Sequence, residues 1–451
     1  MRLASLLLVL AACPAPAARS TKPVATDALT ARLDAATAPY VDTNNFTGVI
    51  RVSRHGTLLV ERAYGMASYE HNVANSSNTR FHIASITEGF TAAAVFLLAE
   101  RGKLQLTDPI TKFIPDYPQG DKITIEHLLE HTSGIPNLTG PDWEREERLA
   151  HTPASLVKLF RDKPLDFAPG TNTSYSSSNY NLLAAILEQI MQRPYGRLMR
   201  ELIFDPRELR ATVHHGNMAD AIANRAIGVE PEGLHGIQFP RYIDWSGRTG
   251  SGSLVTTAAD LDTFVDALFG NKLLAAPSLR TILAPAKGYA YGWSRDERDG
   301  RKQIRAGGRS PGFNTSVERY LDDGTTVIVL SNSDSPVAQD EVFLGAVHAA
   351  IFDRPLPPPP VIAPLAIANG ALAEYAGKYQ MPPSEILTLA DRGTHLSATW
   401  PNGTVHTFYP VGKDELFDRH SWARVKIKRA GGKIVGFHHG LLQGFEATRM
   451  P

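Results

Sequence analysis

The chain has 451 residues, 43% of them hydrophobic, enough for a sizeable core and for two or three domains. Lysine plus arginine and aspartate plus glutamate stand at 46 each. This balance carries no electrostatic footprint for nucleic acid and excludes a basic nucleic-acid-binding domain as the default reading.

At the N-terminus Arg2 precedes the apolar run "LASLLLVLAA", which is too short to span a bilayer and reads as an export signal over residues 1–18. The run ends in "LAAC" at Leu10 to Cys13, a pattern similar to a bacterial lipobox, in which the cysteine takes the lipid. Cys13 is the only cysteine in the chain, so it has no internal disulfide partner. The competing reading is ordinary cleavage after "APA" (15–17), with Cys13 discarded. No other stretch reaches transmembrane length. The expected mature protein is exported, in the periplasm or tethered to a membrane by lipid.

"TDALTARLDAATAPYV" (Thr26 to Val41) has helical spacing. "FTGVIRVSRHGTLLVERAYGMASY" (Phe46 to Tyr69) alternates and breaks at His55-Gly56, which predicts a hairpin. In "HIASITEGFTAAAV" Ser85 stands at the mouth of an apolar helix that Gly102 closes, with Glu88 one turn on. "HLLEH" (His127 to His131) matches the H-x-x-E-H form of a zinc site, but it also fits a segment that lines the site wall and ends its helix at Gly134, and no metal or cofactor is expected. "EREER" (Glu144 to Arg148) reads as a solvated helix face. The two "HHG" runs, at His214 and His439, read as exposed loop or strand residues. Trp245 fits either a substrate cleft or a core. "TVIVLSNS" (Thr326 to Ser333) predicts a buried strand after the turn "DDG".

Strands thus open and close the first domain with helices between them. That order predicts an α+β fold with one antiparallel sheet whose first and last segments pair. A Pro-rich linker at 353–368 separates a domain over 27–350 from a β-rich segment at 370–451, read as a small all-β barrel-like domain.

Four stretches carry a family resemblance: Phe81 to Ile110, "ITIEHLLEHTSGIPN" (Ile123 to Asn137), "APGTNTSYSSSNYNLLAAILEQIM" (Ala168 to Met191) and "IRAGGRSPGFNTSVERYLDDGTTVIVLSN" (Ile304 to Asn332). Their order, with "GSLVTTAADLDTF" (Gly252 to Phe264) as a fifth, resembles the serine β-lactamase and penicillin-binding-protein family. The nearest branch is that of class C β-lactamases, D-alanyl-D-alanine carboxypeptidases and esterases. The tail resembles the lipocalin-like domain often fused to such proteins.

The resemblance implies a nucleophilic serine at a helix N-terminus, a lysine three residues on, a proton-shuttling tyrosine and a Lys or His on the last core strand. Ser85 matches the nucleophile and Tyr175 the tyrosine. Glu88 stands at the lysine position, Ser177 where asparagine is usual, and Ala306 where Lys or His is usual. Gly307 and Gly308 keep the strand's backbone, and the N–H of Arg309 would be the second oxyanion donor.

The site has therefore lost two cations and gained an anion, which should raise the pKa of Tyr175. Two functions follow. One is a hydrolase acting through acyl-Ser85 on small peptide-like, ester or β-lactam carbonyls, with Glu88 as base. The other is an inactive relative that binds cell-wall peptide or a protein partner in the same cleft. Of the nearby arginines, Arg305 alternates away from Ala306 on the strand, and Arg309 is taken as the replacement cation.

Overall fold

A computed structural model describes residues 26–451, apart from 233–235, 285–287, 358–364, 366–369, 383, 402 and 441–443. The export signal, Cys13 and most of the Pro-rich linker lie outside the described residues.

The hairpin at His55-Gly56 consists of β1 (Gly48–Arg54) and β2 (Thr57–Tyr64). His55 and Gly56 both have positive φ, 48° and 75°, the conformation that lets a two-residue turn follow the twist of its strands. Five later strands complete the sheet: β3 (Tyr289–Ala290), β4 (Trp293–Arg298), β5 (Arg301–Ser310), β6 (Phe313–Tyr320) and β7 (Thr325–Ser331). The order is β3-β4-β5-β6-β7-β1-β2. β1 runs antiparallel to β7 from Gly48↔Ser331 to Arg54↔Thr325, so the first and last segments of the domain do pair.

β7 is buried along its whole length because both faces of the sheet are covered. Val327 and Val329 pack with Leu29, Leu33 and Tyr40 of helix α1 (Thr26–Val41) and with Phe343 and Val347 of a helix at Glu341–Ile351. Ile328 and Leu330 face the larger cluster, which contains helix α2 (Thr87–Glu100) and helix α3 (Ser177–Met191). α2 is buried nearly all round, as a helix through the middle of a core must be. It ends where Gly102 takes φ 67° and donates to the carbonyl of Ala99 at 2.9 Å.

The C-terminal segment is a closed antiparallel barrel of eight strands, from Gly377–Met381 to Phe445–Arg449. Closure comes from the pairing of Tyr379 with Arg449 and Gln380 with Thr448. Tyr379, Leu387, Phe408, Val425 and Phe437 are among the side chains of its core cluster. A loop after Asp418 joins the barrel to the first domain. Trp422 packs its ring 5.0 Å from that of Tyr40 in α1. Arg419 donates to the carbonyls of Thr43, Glu232 and Gly236 at 2.7–2.8 Å.

His214 and His439 of the "HHG" runs are not exposed. His439 is 0% exposed because it shares the Asp418 carboxylate with His406, at 3.2 and 2.9 Å. His215 is buried against His82, 3.2 Å away, and His214 is half-buried against the hydroxyl of Ser253.

Candidate active site

The nucleophile candidate sits in a strained turn. Ile83, Ala84 and Ser85 lead into α2 through one turn of 3-10 helix, and buried Ala84 has φ 44°. That conformation is costly for a residue with a Cβ and persists only where the surroundings enforce it. The enforcing neighbour is β5. Gly308 packs so closely that a Cβ there would lie 2.2 Å from the Ile83 carbonyl oxygen and 2.9 Å from the Ser85 nitrogen. Only glycine permits this approach, and it sets the β5 backbone beside the Ser85 amide, where an oxyanion hole requires it. Gly307 abuts Gln339, whose amide donates to the Gly308 carbonyl at 3.1 Å.

Ser85 and Glu88 are linked through Tyr175. The hydroxyls of Ser85 and Tyr175 lie 2.9 Å apart, and Tyr175 donates to Glu88 Oε1 at 2.7 Å. An ionised carboxylate only accepts, so the single phenolic proton is committed to Glu88 and Ser85 must donate to Tyr175. The result is a directed chain, Ser85 to Tyr175 to Glu88. Ser177, at the start of α3, reaches the same phenol oxygen at 3.5 Å.

Glu88 is 0% exposed and needs partners to be buried as an anion. Tyr289 on β3 donates to Oε2 at 2.8 Å. His131 Nε2 lies 3.6 Å from Oε2, just beyond hydrogen-bond distance. The Ser176 amide donates to His131 Nδ1 at 3.1 Å, so in the neutral ring Nε2 carries the proton and faces Glu88. Among the described residues no lysine or arginine pairs with Glu88 within ion-pair distance. Withdrawal from water raises the Tyr175 phenol well above its ordinary value, and the Glu88 charge raises it further. The same two causes act on Tyr289. Tyr175 taken as a whole residue is 43% exposed and forms part of the cleft surface, while its hydroxyl is turned in to Glu88.

Several expectations need correction. The helix over "HLLEH" stops short of the expected end at Gly134. The helix ends at Leu129, and His131 turns with φ 54° towards Glu88. His127 instead completes the helix's N-terminal capping box with Thr124. Among the described residues no group of three or more histidine, cysteine or acidic side chains could hold a metal ion. Arg309, expected to replace the lost positive charge near a substrate carboxylate, is held in an ion pair. It has the same strand parity as Arg305 and pairs with Asp334 at 2.8 Å, while Arg305 pairs with Asp296 at 3.1 Å. Ala306 is buried in the core cluster around α2.

"EREER" is not wholly a solvated face. Glu147 is 1% exposed and bridges Arg241 and Arg248, the latter at 2.8 Å. Trp245 stacks on His82 with ring centroids 3.5 Å apart and lines a cavity of about 220 Å³ with Phe239, Tyr242 and Phe313. Tyr289 is a site residue that sequence reasoning missed, and for His131 it put only the segment at the site wall, not the ring at Glu88.

A family model described as Beta-lactamase matches residues 33–350. A penicillin-binding protein of Bacillus subtilis (strain 168) is 27% identical over 366 residues, which cover 74% of this chain and 80% of the relative. Two solved structures share the fold. One is the D-amino acid amidase from Ochrobactrum anthropi SV3, with TM-score 0.63 and 21% identity, covering 73% of this chain and 99% of that one. The other is an octameric penicillin-binding protein homologue from Pyrococcus abyssi, with TM-score 0.63 and 19% identity. The second likeness covers 93% of this chain and 100% of that one. The matched family model spans residues 33–350, most of the chain: the chain belongs to the beta-lactamase family.

Proposed function

We propose that the protein is a serine hydrolase that cleaves peptide-like amides, esters or β-lactams through an acyl-Ser85 intermediate, with Glu88 as the terminal base and Tyr175 as relay. The observation that carries this reading is the chain of hydrogen bonds from Ser85 through Tyr175 to Glu88, at 2.9 and 2.7 Å. As Ser85 Oγ attacks the carbonyl carbon, its proton passes to Tyr175 Oη and the Tyr175 proton passes to Glu88 Oε1. Tyrosinate never forms, so the raised pKa of Tyr175 is no obstacle. The carbonyl oxygen takes the negative charge and faces the N–H groups of Ser85 and Arg309. Collapse of the tetrahedral species breaks the bond to the leaving group, which receives the proton back along the same chain. Water then repeats the sequence on the acyl-enzyme and frees Ser85.

The second reading is an inactive binder in the same cleft. It is favoured by the absence of a lysine at Glu88 and of a cation at Ala306, since losing about 3 kcal/mol of transition-state stabilisation already slows a reaction over a hundredfold. The test is to incubate the purified protein with a fluorophosphonate and a fluorescent penicillin and to map added mass. Labelling at Ser85 is expected; no labelling by either probe would leave the binder reading.

We also propose export, with Cys13 lipidated, on the strength of the N-terminal sequence. No helix among the described residues is long and apolar enough to cross a membrane. A mature mass starting at unmodified Ala18 would contradict the anchor.

A further inference from the structure

The barrel reaches into the first domain through a loop that is itself tied down. Asp418 accepts from the amides of His420 and Ser421 at 3.0 and 3.4 Å, and the buried rings of His406 and His439 hold its carboxylate in turn. Trp422, with φ 51°, supplies adhesion by packing on Tyr40. Apolar contact of that kind is non-directional. Arg419 adds direction. It is 1% exposed, and its Nη1 donates to the carbonyls of Glu232 and Gly236, a cross-strand pair in the hairpin of Glu230–Glu232 and Gly236–Gln238. Its Nη2 donates to the Thr43 carbonyl. Burial lowers the guanidinium to about 10, still far above neutrality, so these are charge-assisted bonds. The His420 ring adds a hydrogen bond to the backbone of Pro231 in the same hairpin.

The hairpin leads to the strand of the oxyanion hole. Val229, the residue before it, donates to the Asn332 carbonyl at 3.0 Å and accepts from the Asp334 amide at 2.8 Å. Asp334 in turn accepts from Arg309 Nε at 2.8 Å. Gly228 lies against the turn between β5 and β6, where a Cβ on it would fall 2.8 Å from both Gly312 Cα and Phe313 Cε2. The end of β5 that carries Arg309 therefore meets the lead of the hairpin at two points, through Asp334 and at Gly312. From Val229 to Glu232 is three residues, about 10 Å of extended chain. The two ends of this path also sense each other directly. Burial and His406 lower the His420 ring, and the Arg309 charge lowers it further.

We propose that Arg419 of the barrel is a positioning residue for the reaction at Ser85: it fixes the hairpin, the hairpin fixes Asp334 and the β5–β6 turn, and these hold the Arg309 N–H at the oxyanion position. The barrel is then part of the catalytic unit and not an appended module. The catalytic role rests on the hydrolase reading; the mechanical link from Arg419 to Arg309 stands on the contacts alone. Losing one oxyanion donor outright costs about 10²- to 10³-fold in rate, so loosening it should cost at least about tenfold.

The test uses the full chain and two readouts. The first, hydrogen–deuterium exchange read by mass spectrometry, does not depend on whether Ser85 is reactive. In Arg419→Met the segments 226–232 and 306–314 should both exchange faster than in the parent, with β1 and β2 unchanged. Exchange unchanged in both segments, faster in 226–232 alone, or faster throughout the chain would overturn the proposal. The second readout is the rate of fluorophosphonate labelling at Ser85, which should fall at least tenfold in Arg419→Met; a rate within threefold of the parent would overturn it too. Arg419→Lys keeps the charge and should recover part of both readouts. No recovery would mark lost packing instead of lost carbonyl bonds and counts against it. A parent that does not label defeats the hydrolase reading, and with it the catalytic role of Arg419, while the exchange result still decides the link to Arg309. Should Arg419→Met not fold, as judged by circular dichroism, Arg419→Lys decides. Slower labelling with faster exchange in both segments supports the proposal, and values equal to the parent's contradict it.

Discussion

Replacing Glu88 by glutamine separates the base from the scaffold. The glutamine keeps the shape of the side chain, and its amide oxygen can still accept the Tyr175 hydroxyl now bonded at 2.7 Å. The amide NH2 then meets Tyr289, whose hydroxyl must stop donating and accept instead, across the 2.8 Å contact that now leads to Oε2. One rearranged buried hydrogen bond costs about 1–3 kcal/mol of stability, which a folded core of this size should survive. What the amide cannot do is take a proton. General-base assistance contributes about 10²- to 10⁴-fold, equivalent to about 3–5 kcal/mol in the barrier. The assay is the second-order rate of fluorophosphonate labelling at Ser85, followed by intact mass near pH 7.5, with a thermal melt to verify folding. Folded Glu88→Gln should react at least a hundredfold more slowly than the parent. A rate within threefold of the parent would refute the role of Glu88 as proton acceptor.

Other consequences are simpler to read. Gly308→Ala drives a methyl group into the Ile83 carbonyl, 2.2 Å away, so labelling of Ser85 should fall sharply and the melting temperature should drop by several degrees. Burial, with a smaller contribution from neighbouring charges, lowers His214, His215 and His420 to about 4. As pH falls from about 6.5 to 4 the unfolded chain takes up these protons before the folded one does. Stability measured by urea unfolding should therefore decline on acidification, by up to about 1.4 kcal/mol per pH unit for each histidine; a flat profile would contradict these environments. Below that range the loss should continue through Asp418. Burial alone would raise its carboxyl, but His406 and His439 hold it far below the usual range. Trp422→Ala removes the ring packed against Tyr40 and should cost about 3–5 kcal/mol, so calorimetry should show the barrel melting separately from the first domain.

Much of the fold is legible in local pattern. The His55-Gly56 turn, the β-branched and wholly buried β7 and the helix closed at Gly102 declare themselves within a few residues, because propensity and burial agree there. Ser85, Glu88 and Tyr175 are legible through the motifs that surround them. His131 and Tyr289 are not. His131 reaches Glu88 only because its own φ is positive, and Tyr289 reaches it from a two-residue strand 201 positions away. Glu147 looks like surface charge in its own segment, and its burial depends on arginines about a hundred residues later. Arg309 shows the opposite fault. Its parity on β5 is readable and puts it on the face of Arg305, so reading it as the replacement cation ignores the pleat; Asp334, its true partner, lies beyond two further strands.

The most direct test of the account is the fate of Ser85 during turnover of an activated ester of an N-acyl D-amino acid. Time-resolved intact mass of the full chain should reveal an acyl adduct on Ser85 that forms, then decays with release of the acid, and that never appears in Ser85→Ala. Product release with no adduct on Ser85, or neither product nor adduct in a folded protein, would contradict it.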